Sequence, residues 1–391
     1  MAWEIINLGD SATFVNGYAF KPSDWSDKGK EIIRIQNLTK GKAQINYFEG
    51  ELKDKYKVRK GDLLISWSAT LGVYEWKKGD SWLNQHLFKV IFDKEEFDKS
   101  FFRYLITSSL KKMEEQVHGA TMKHITKKKF DAFKIPLPSL EIQKKIASIL
   151  DEADKIRQLN KQLIDKYDAL TQSLFLEMFG DPVKNSKGWE KVNFGNYINV
   201  LTDYHANGSY KTLNENVSLK NEPDYALMVR TTDLENKNFV KGVKYIDEHA
   251  YNHLKKSKVF GGEIIINKIG SAGKVYRMPE LNRPVSLGMN AFLLRFNDLI
   301  NQDFLYFQLT SKYGEREIEK RVRGAVTKTI RKDVLREIPI ISPPLKLQNE
   351  FAERVEIIEN QKKQAEVSLQ KSEDLFNSLL QKAFKGALVK E

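Results

Sequence analysis

No cysteine occurs in the 391 residues, which rules out disulfides and every thiolate metal site. No apolar run approaches the length of a membrane span, and the opening MAWEIINLGD has neither a basic n-region nor an apolar core. Neither export nor insertion is indicated, so an intracellular, cytoplasmic location without membrane contact is expected. Histidine is scarce, with six in all; His249 and His253 stand four apart, but HAYNH lacks the glutamate of a zinc-protease helix and no metal is expected. Acidic residues are the minority charge, 52 against 64 Lys and Arg, and the net charge of +12 favours an anionic partner, nucleic acid foremost.

Catalytic signatures are missing as well. Gly273-Lys274 is followed by Val275, and position 268 is Lys, so a phosphate loop fails twice. The Asn-Pro-Pro-aromatic motif of amino-methyltransferases does not occur, since Pro343-Pro344 lies between Ser342 and Leu345. Pro223-Asp224 followed by Glu235-Asn236-Lys237 imitates a metal-dependent nuclease that would use Asp224, Glu235 and Lys237, and this is the alternative reading. It is the weaker one, because LENKNFV reads as a turn and the first half of the chain has no counterpart.

What the chain does contain is a duplication. WEIINLG at Trp3 recurs as WEKVNFG at Trp189, RIQNL at Arg34 resembles RTTDL at Arg230, and GDLLISWSATLG at Gly61 resembles GEIIINKIGSAG at Gly262. HGATMKHITKKKF and RGAVTKTIRKDVL then match 205 residues apart, and so do Leu140, Gln143 and Leu174 with Leu345, Gln348 and Leu379. With 41% hydrophobic residues the chain supports packed cores, and its length calls for more than one.

From Ile135 to Gly180 the chain reads as one long helix, opened by Pro136 and Pro138 and closed by Gly180-Asp181-Pro182. A heptad seam is expected at Ile146, Ile149, Ala153, Ile156, Asn160, Leu163, Tyr167, Leu170 and Leu174, with Asn160 as the polar residue that fixes register. The second rod carries Val355, Ile358, Lys362, Ala365, Leu369, Ser372, Phe376 and Leu379. The divisions are a globule over 1–138, a rod and linker over 139–184, a globule over 185–343 and a rod over 344–391.

The globules mix strand and helix signals. Gly61 to Ser66 and Leu87 to Phe92 read as buried strands; Phe97 to Glu115 and Gln302 to Glu319 read as helices. The candidate binding residues are Arg34 and Arg230, in the recurring RIQNL and RTTDL; Ser66, Trp67, Ser68 and Thr70 after the Gly61 strand, with Lys268, Ser271 and Lys274 in the second copy; and Asn84, Gln85 and His86 before the Leu87 strand, with Asn290. Hydroxyls, amides, an aromatic and cations suit phosphates and base edges, although Asn and Gln at a strand end equally cap turns. Lys123, His124, Arg323 and Lys328 lie in the two basic segments, which suit either phosphate contact or a solvated face.

The two diverged globules, together with IPLPSLEIQKKIASILDEAD, SLFLEMFGDP and LLQKAFKGAL, resemble the specificity subunit of type I restriction-modification enzymes. The resemblance implies a mixed α/β fold: two target recognition domains, each a small mixed sheet with helices, joined by two long antiparallel helices with pseudo-two-fold symmetry. It implies that each domain reads one half of a gapped site in double-stranded DNA, while the helices set the spacing. The helices would also dock two adenine methyltransferase subunits, which recruit restriction subunits. S-adenosylmethionine, ATP and Mg would then belong to those partners, and this chain would be non-catalytic.

Overall fold

Leu64 and Ile265 sit in matching strands of the two halves of the chain, and each strand separates two cores. The computed structural model describes residues 3–39, 43–67, 71–116 and 126–389. The chain forms two units, Met1–Gln162 with Ala365–Glu391, and Leu163–Gln364. Among the described residues five helices have eight residues or more: α1 (Lys99–Gln116), α2 (Leu140–Phe179), α3 (Gln302–Thr310), α4 (Lys312–Glu319) and α5 (Leu345–Phe384). None is long and apolar enough to cross a membrane. Where one helix was expected over Gln302 to Glu319 there are two, because Ser311 turns out of the helix and its hydroxyl accepts from Gly314 N to cap α4.

In the first unit β1 (Glu4–Asn7) pairs antiparallel with β10 (Lys134–Leu137). Ile135 to Leu137 are therefore strand, not the start of the long helix, as prolines at 136 and 138 demand. One antiparallel sheet has the order β2 (Thr13–Asn16), β9 (Leu87–Ile91), β6 (Leu63–Ser66), β7 (Gly72–Glu75). A mixed sheet has the order β4 (Asn46–Phe48), β3 (Lys30–Ile33), β8 (Ser81–Leu83), β5 (Lys57–Val58), with β3 and β8 parallel. Strand β6 is buried along its whole length: Leu63 and Ile65 join the core with Phe101, Phe102 and Ile146, while Leu64 joins Ile33, Trp76 and Leu83. An uninterrupted apolar strand covered on both faces is what such a position requires.

The second unit repeats the layout. β11 (Lys191–Asn193) pairs with β19 (Pro339–Ile341). The antiparallel sheet runs β12 (Ile198–Asp203), β18 (Ala291–Phe296), β15 (Ile264–Asn267), β16 (Val275–Arg277). The mixed one runs β14 (Lys244–Ile246), β13 (Ala226–Val229), β17 (Val285–Leu287), with β13 and β17 parallel. Each unit thus has two main sheets rather than one.

The duplicated glutamines explain why the helices recur with the globules. Gln143 Oε1 accepts from Asp98 N at 2.9 Å and its Nε2 donates to Pro138 O at 3.0 Å. Gln348 makes the same pair of bonds to Asn301 N and Pro343 O, both at 2.8 Å. Asp98 and Asn301 in turn cap α1 and α3. Gln348→Leu leaves a buried N–H and a buried carbonyl without partners, and a stability loss of about 2–3 kcal/mol is expected. Urea midpoints of the variant against the parent at unchanged slope check it; a loss under about 0.5 kcal/mol would refute the pinning role.

In each unit the two long helices run in opposite directions. Within the first, the Arg157 guanidinium lies over the Phe376 ring at 4.6 Å and Asn160 Nδ2 donates to Ser372 Oγ at 3.3 Å. Within the second, Asp168 pairs with Lys362 and the Phe179 and Phe351 rings are 5.3 Å apart. On α5 the expected seam is found, with Val355, Ala365, Ser372 and Phe376 buried and Ile358, Lys362, Leu369 and Leu379 half-buried.

On α2 half of the expected seam is wrong. Ile146, Ala153, Asn160, Tyr167 and Leu174 face inward, but Ile149, Ile156, Leu163 and Leu170 point out, 38–49% exposed. The alternate seam positions are Leu150, Arg157, Ile164, Thr171 and Met178. Three of these five are apolar, and Arg157 and Thr171 disguise the row: one stacks its guanidinium on Phe376 and the other returns its hydroxyl to Tyr167 O.

Candidate nucleic-acid interface

Two parallel strands release their following loops at the same end of a sheet. In the first unit these are β3, followed by Arg34, and β8, followed by Asn84, Gln85 and His86. Strand β6 ends beside them, because Ser66 is registered against Leu87, and this brings the Trp67 ring to 5.9 Å from that of His86. Arg34, Trp67, Gln85 and His86 thus share one edge of the unit. Two of their expected companions do not reach it. Ser66 is fully buried in β6, and Asn84 is buried with its Oδ1 accepting from His86 N, which is the turn-capping role. Ser68, Thr70, Lys123 and His124 lie outside the described residues.

The same end of the second unit carries Arg230 after β13, Lys268 to Lys274 after β15, and Asn290 after β17. Backbone bonds tie the loops together: Gly288 N to Val229 O at 2.8 Å and Lys268 N to Asn290 O at 2.7 Å. The basic segment joins them as a hairpin in which Arg323 and Thr329 exchange both backbone bonds, at 2.9 and 2.7 Å. Gly270 N donates to Lys328 O and Ile330 N to Lys268 O, so the hairpin is stitched to the loop after β15. Lys274, Ser271, Asn290, Arg323 and Lys328 are exposed on this surface.

Arg34 and Arg230 are partly committed to the fold. Their N–H groups donate to Asn37 Oδ1 and Asp233 Oδ2, so the recurring Arg-x-x-Asn/Asp-Leu pattern encodes a turn. The Arg230 side chain also forks onto the Asp233 carboxylate and reaches Gly242 O, while Arg34 donates to Asn46 Oδ1 at 3.0 Å.

A residue that sequence reasoning passed over organises the cations. Asp203, at the end of β12, is buried and pairs with Lys268 at 3.1 Å and Lys332 at 3.4 Å. Its burial would raise the carboxyl pKa, but the two ammonium groups outweigh this and hold it below the usual carboxylate range. Nothing in INVLTD marks that aspartate, because its partners are 65 and 129 residues away. A folded pKa below the unfolded value means stability that is present above about pH 4 and lost as pH falls through the folded value. Asp203→Asn is therefore expected to cost about 2 kcal/mol at pH 7, and the gap to the parent should close below pH 4. Denaturation series at several pH values check this; a gap that stayed constant with pH would exclude the ion pairs as its cause.

The nuclease constellation does not assemble. Asp224 precedes β13 and Glu235 lies beyond its other end, closing the short helix Thr231–Glu235. Asp224 pairs with Lys220 at 2.6 Å. Ser271, Lys274 and Tyr276 donate to Glu235 and hold its carboxyl below the ordinary range. Lys237 occupies a left-handed turn, φ 48°. His249 bonds Asn216 at 2.9 Å, and among the described residues no group of three His, Asp or Glu side chains could hold a metal ion.

The family model for the type I restriction modification DNA specificity domain matches residues 2–167 and 187–369. The chain is 24% identical to the specificity subunit of the type I restriction enzyme EcoBI of Escherichia coli, over 99% of this chain and 86% of that one. It is 26% identical to the MjaVIII specificity subunit of Methanocaldococcus jannaschii, over 92% and 86%. In three dimensions it is similar to the S subunit of a type I restriction-modification system from M. genitalium, with a TM-score of 0.56 at 18% identity, covering 98% and 96%; this likeness is one of fold. The matched segments take in the sheets of both units and most of both long helices, and the chain belongs to the type I restriction-modification DNA specificity family.

Proposed function

We propose that this chain is the DNA-specificity subunit of a type I restriction-modification enzyme, with each unit reading one half of a bipartite, gapped site in double-stranded DNA. The observation that carries the reading is the shared loop end: in both units the polar and cationic candidates follow the same three strands, β3, β6 and β8 in one and β13, β15 and β17 in the other. Such loops offer cations to phosphates and amides or hydroxyls to base edges. The long helices fix the separation of the half-sites and dock two adenine methyltransferase subunits, which recruit restriction subunits. The outward residues Ile149, Ile156, Leu163 and Leu170 support a docking role for α2, since exposed aliphatic rows mark contact surfaces. On this reading S-adenosylmethionine, ATP and Mg are bound by those partners and not by this chain.

Methylome sequencing of a host that expresses the chain with its methyltransferase tests the reading: one bipartite motif is expected, and no motif would overturn it. Lys328→Ala should weaken binding to all sequences alike and reduce the salt slope by about one. A change of motif at unchanged salt slope would show that Lys328 touches bases instead.

A further inference from the structure

Val326 is 97% exposed, an extreme value for an aliphatic side chain in a unit with well-formed cores. It stands at the middle of the loop that the Arg323–Thr329 bridge closes. Both backbone bonds between Arg323 and Thr329 are made, and the second arm is bonded to the loop after β15. Gly324 turns the tip at φ +105°, where a Cβ would stand 2.1 Å from Thr327 O, so the turn admits only glycine. Residues 321–332 hold five cations, of which Arg321, Arg331 and Lys332 pair with Glu317, Asp333 and Asp203, while Arg323 and Lys328 flank the tip with no ion pair among the described residues. An isopropyl group kept in water by a pre-formed cationic turn is placed for a contact made only when an anionic partner is bound.

Resting on the DNA-reading function proposed above, we propose that Val326 is a specificity-determining side chain that contacts the C5-methyl of a thymine in the major groove of the half-site read by the second unit. The major groove, wide enough for a helix, also admits a projecting loop of this size, and the thymine methyl is the one apolar group displayed there. Valine is too short and too round to wedge between base pairs, the role that Phe, Leu, Ile or Met play in the minor groove. Arg323 and Lys328, exposed on the two sides of the tip, supply the phosphate contacts that hold it in register. At the matching place in the first repeat the sequence has Thr121, so the two repeats carry different tips.

The test uses the full chain assembled with its methyltransferase partner and duplexes bearing the methylated motif, in which each thymine of the relevant half is replaced in turn by uracil. Uracil keeps every hydrogen-bonding group and lacks only the methyl. One replacement is expected to weaken binding about fourfold, the value of one buried methyl group. Val326→Ser should weaken binding to the thymine duplex by a similar factor and bind the thymine and uracil duplexes equally; its thermal midpoint should match the parent, since the tip touches no core. The proposal is overturned if no thymine in that half is sensitive, if Val326→Ser keeps the discrimination, or if it weakens binding to unrelated sequences equally. A complex that shows no sequence preference for any duplex would overturn the DNA-reading function itself, and this proposal with it.

Discussion

Phe304→Ala is expected to destabilise the second unit by about 3–5 kcal/mol, the usual cost of emptying a phenylalanine site in a packed core. The Phe304 ring is fully buried, 4.6 Å from the ring of Phe179 and 5.8 Å from that of Phe175. Phe179 and Phe175 also pack on Phe351, at 5.3 and 5.7 Å. One ring from α3 therefore packs on two from α2, and these pack on one from α5, so the cluster is one of the contacts through which the globular part of this unit holds its helices. Removing it deletes dispersion contacts together with the edge-to-face pair to Phe179 and the stacked pair to Phe175, and the three remaining rings cannot collapse into the space without leaving their rotamers. For a unit of this size the melting temperature should fall by about 10 °C. Phe304→Leu, which keeps much of the volume, should lose less than half as much. Calorimetry of the three proteins decides it; an alanine variant that melted within 2 °C of the parent would show that the cluster is redundant.

The parts of this fold that could be read in the sequence are those with a repeated or periodic signal. The duplication located matching strands, helices and glutamines, because both copies must solve the same packing and capping problems. The α5 seam was legible since its inward positions are largely apolar, with Lys362 paired to Asp168. The α2 seam was not, because it spends Ile149, Ile156, Leu163 and Leu170 on its outer face and places Arg157 and Thr171 inside. Heptad reading assumes that aliphatic residues face the partner helix, and a helix with a second apolar face defeats it. At the proposed surface the end of β6 was legible, whereas β3, β8 and the side-chain roles were not. Ser66 reads as a loop hydroxyl, yet it is the last inward residue of β6. Arg34 and Arg230 read as phosphate ligands, yet much of their bonding closes local turns. Asp203 and Val326 had no signal, since one depends on lysines distant in the chain and the other on the hairpin that lifts it into solvent.

Replacing residues 185–343 by the matching segment of another specificity subunit is expected to change one half of the methylated motif and leave the other half as it was. The two ends of that segment meet in the β11–β19 pair, where Lys191 is registered against Ile341 and Asn193 against Pro339, so a graft can close on itself. Two of the cores of this unit lie wholly inside the segment, those built around Leu227 and Leu293 and around Leu213 and Tyr251. Only the third core crosses the graft points, through Phe175, Met178, Phe179, Phe351 and Val355. A donor segment must therefore bring an aromatic residue for position 304 and a backbone N–H at position 301 that Gln348 can accept. Where both conditions are met, the parent sites should lose methylation by about a thousandfold or more, the usual margin between specific and non-specific binding. The new motif should keep its first-unit half, because every residue of that unit's shared loop edge, Arg34 to His86, is retained. Genome-wide methylation mapping reads both halves at once. A chimaera that folds and methylates but changes both halves together would mean that the two units do not read independently.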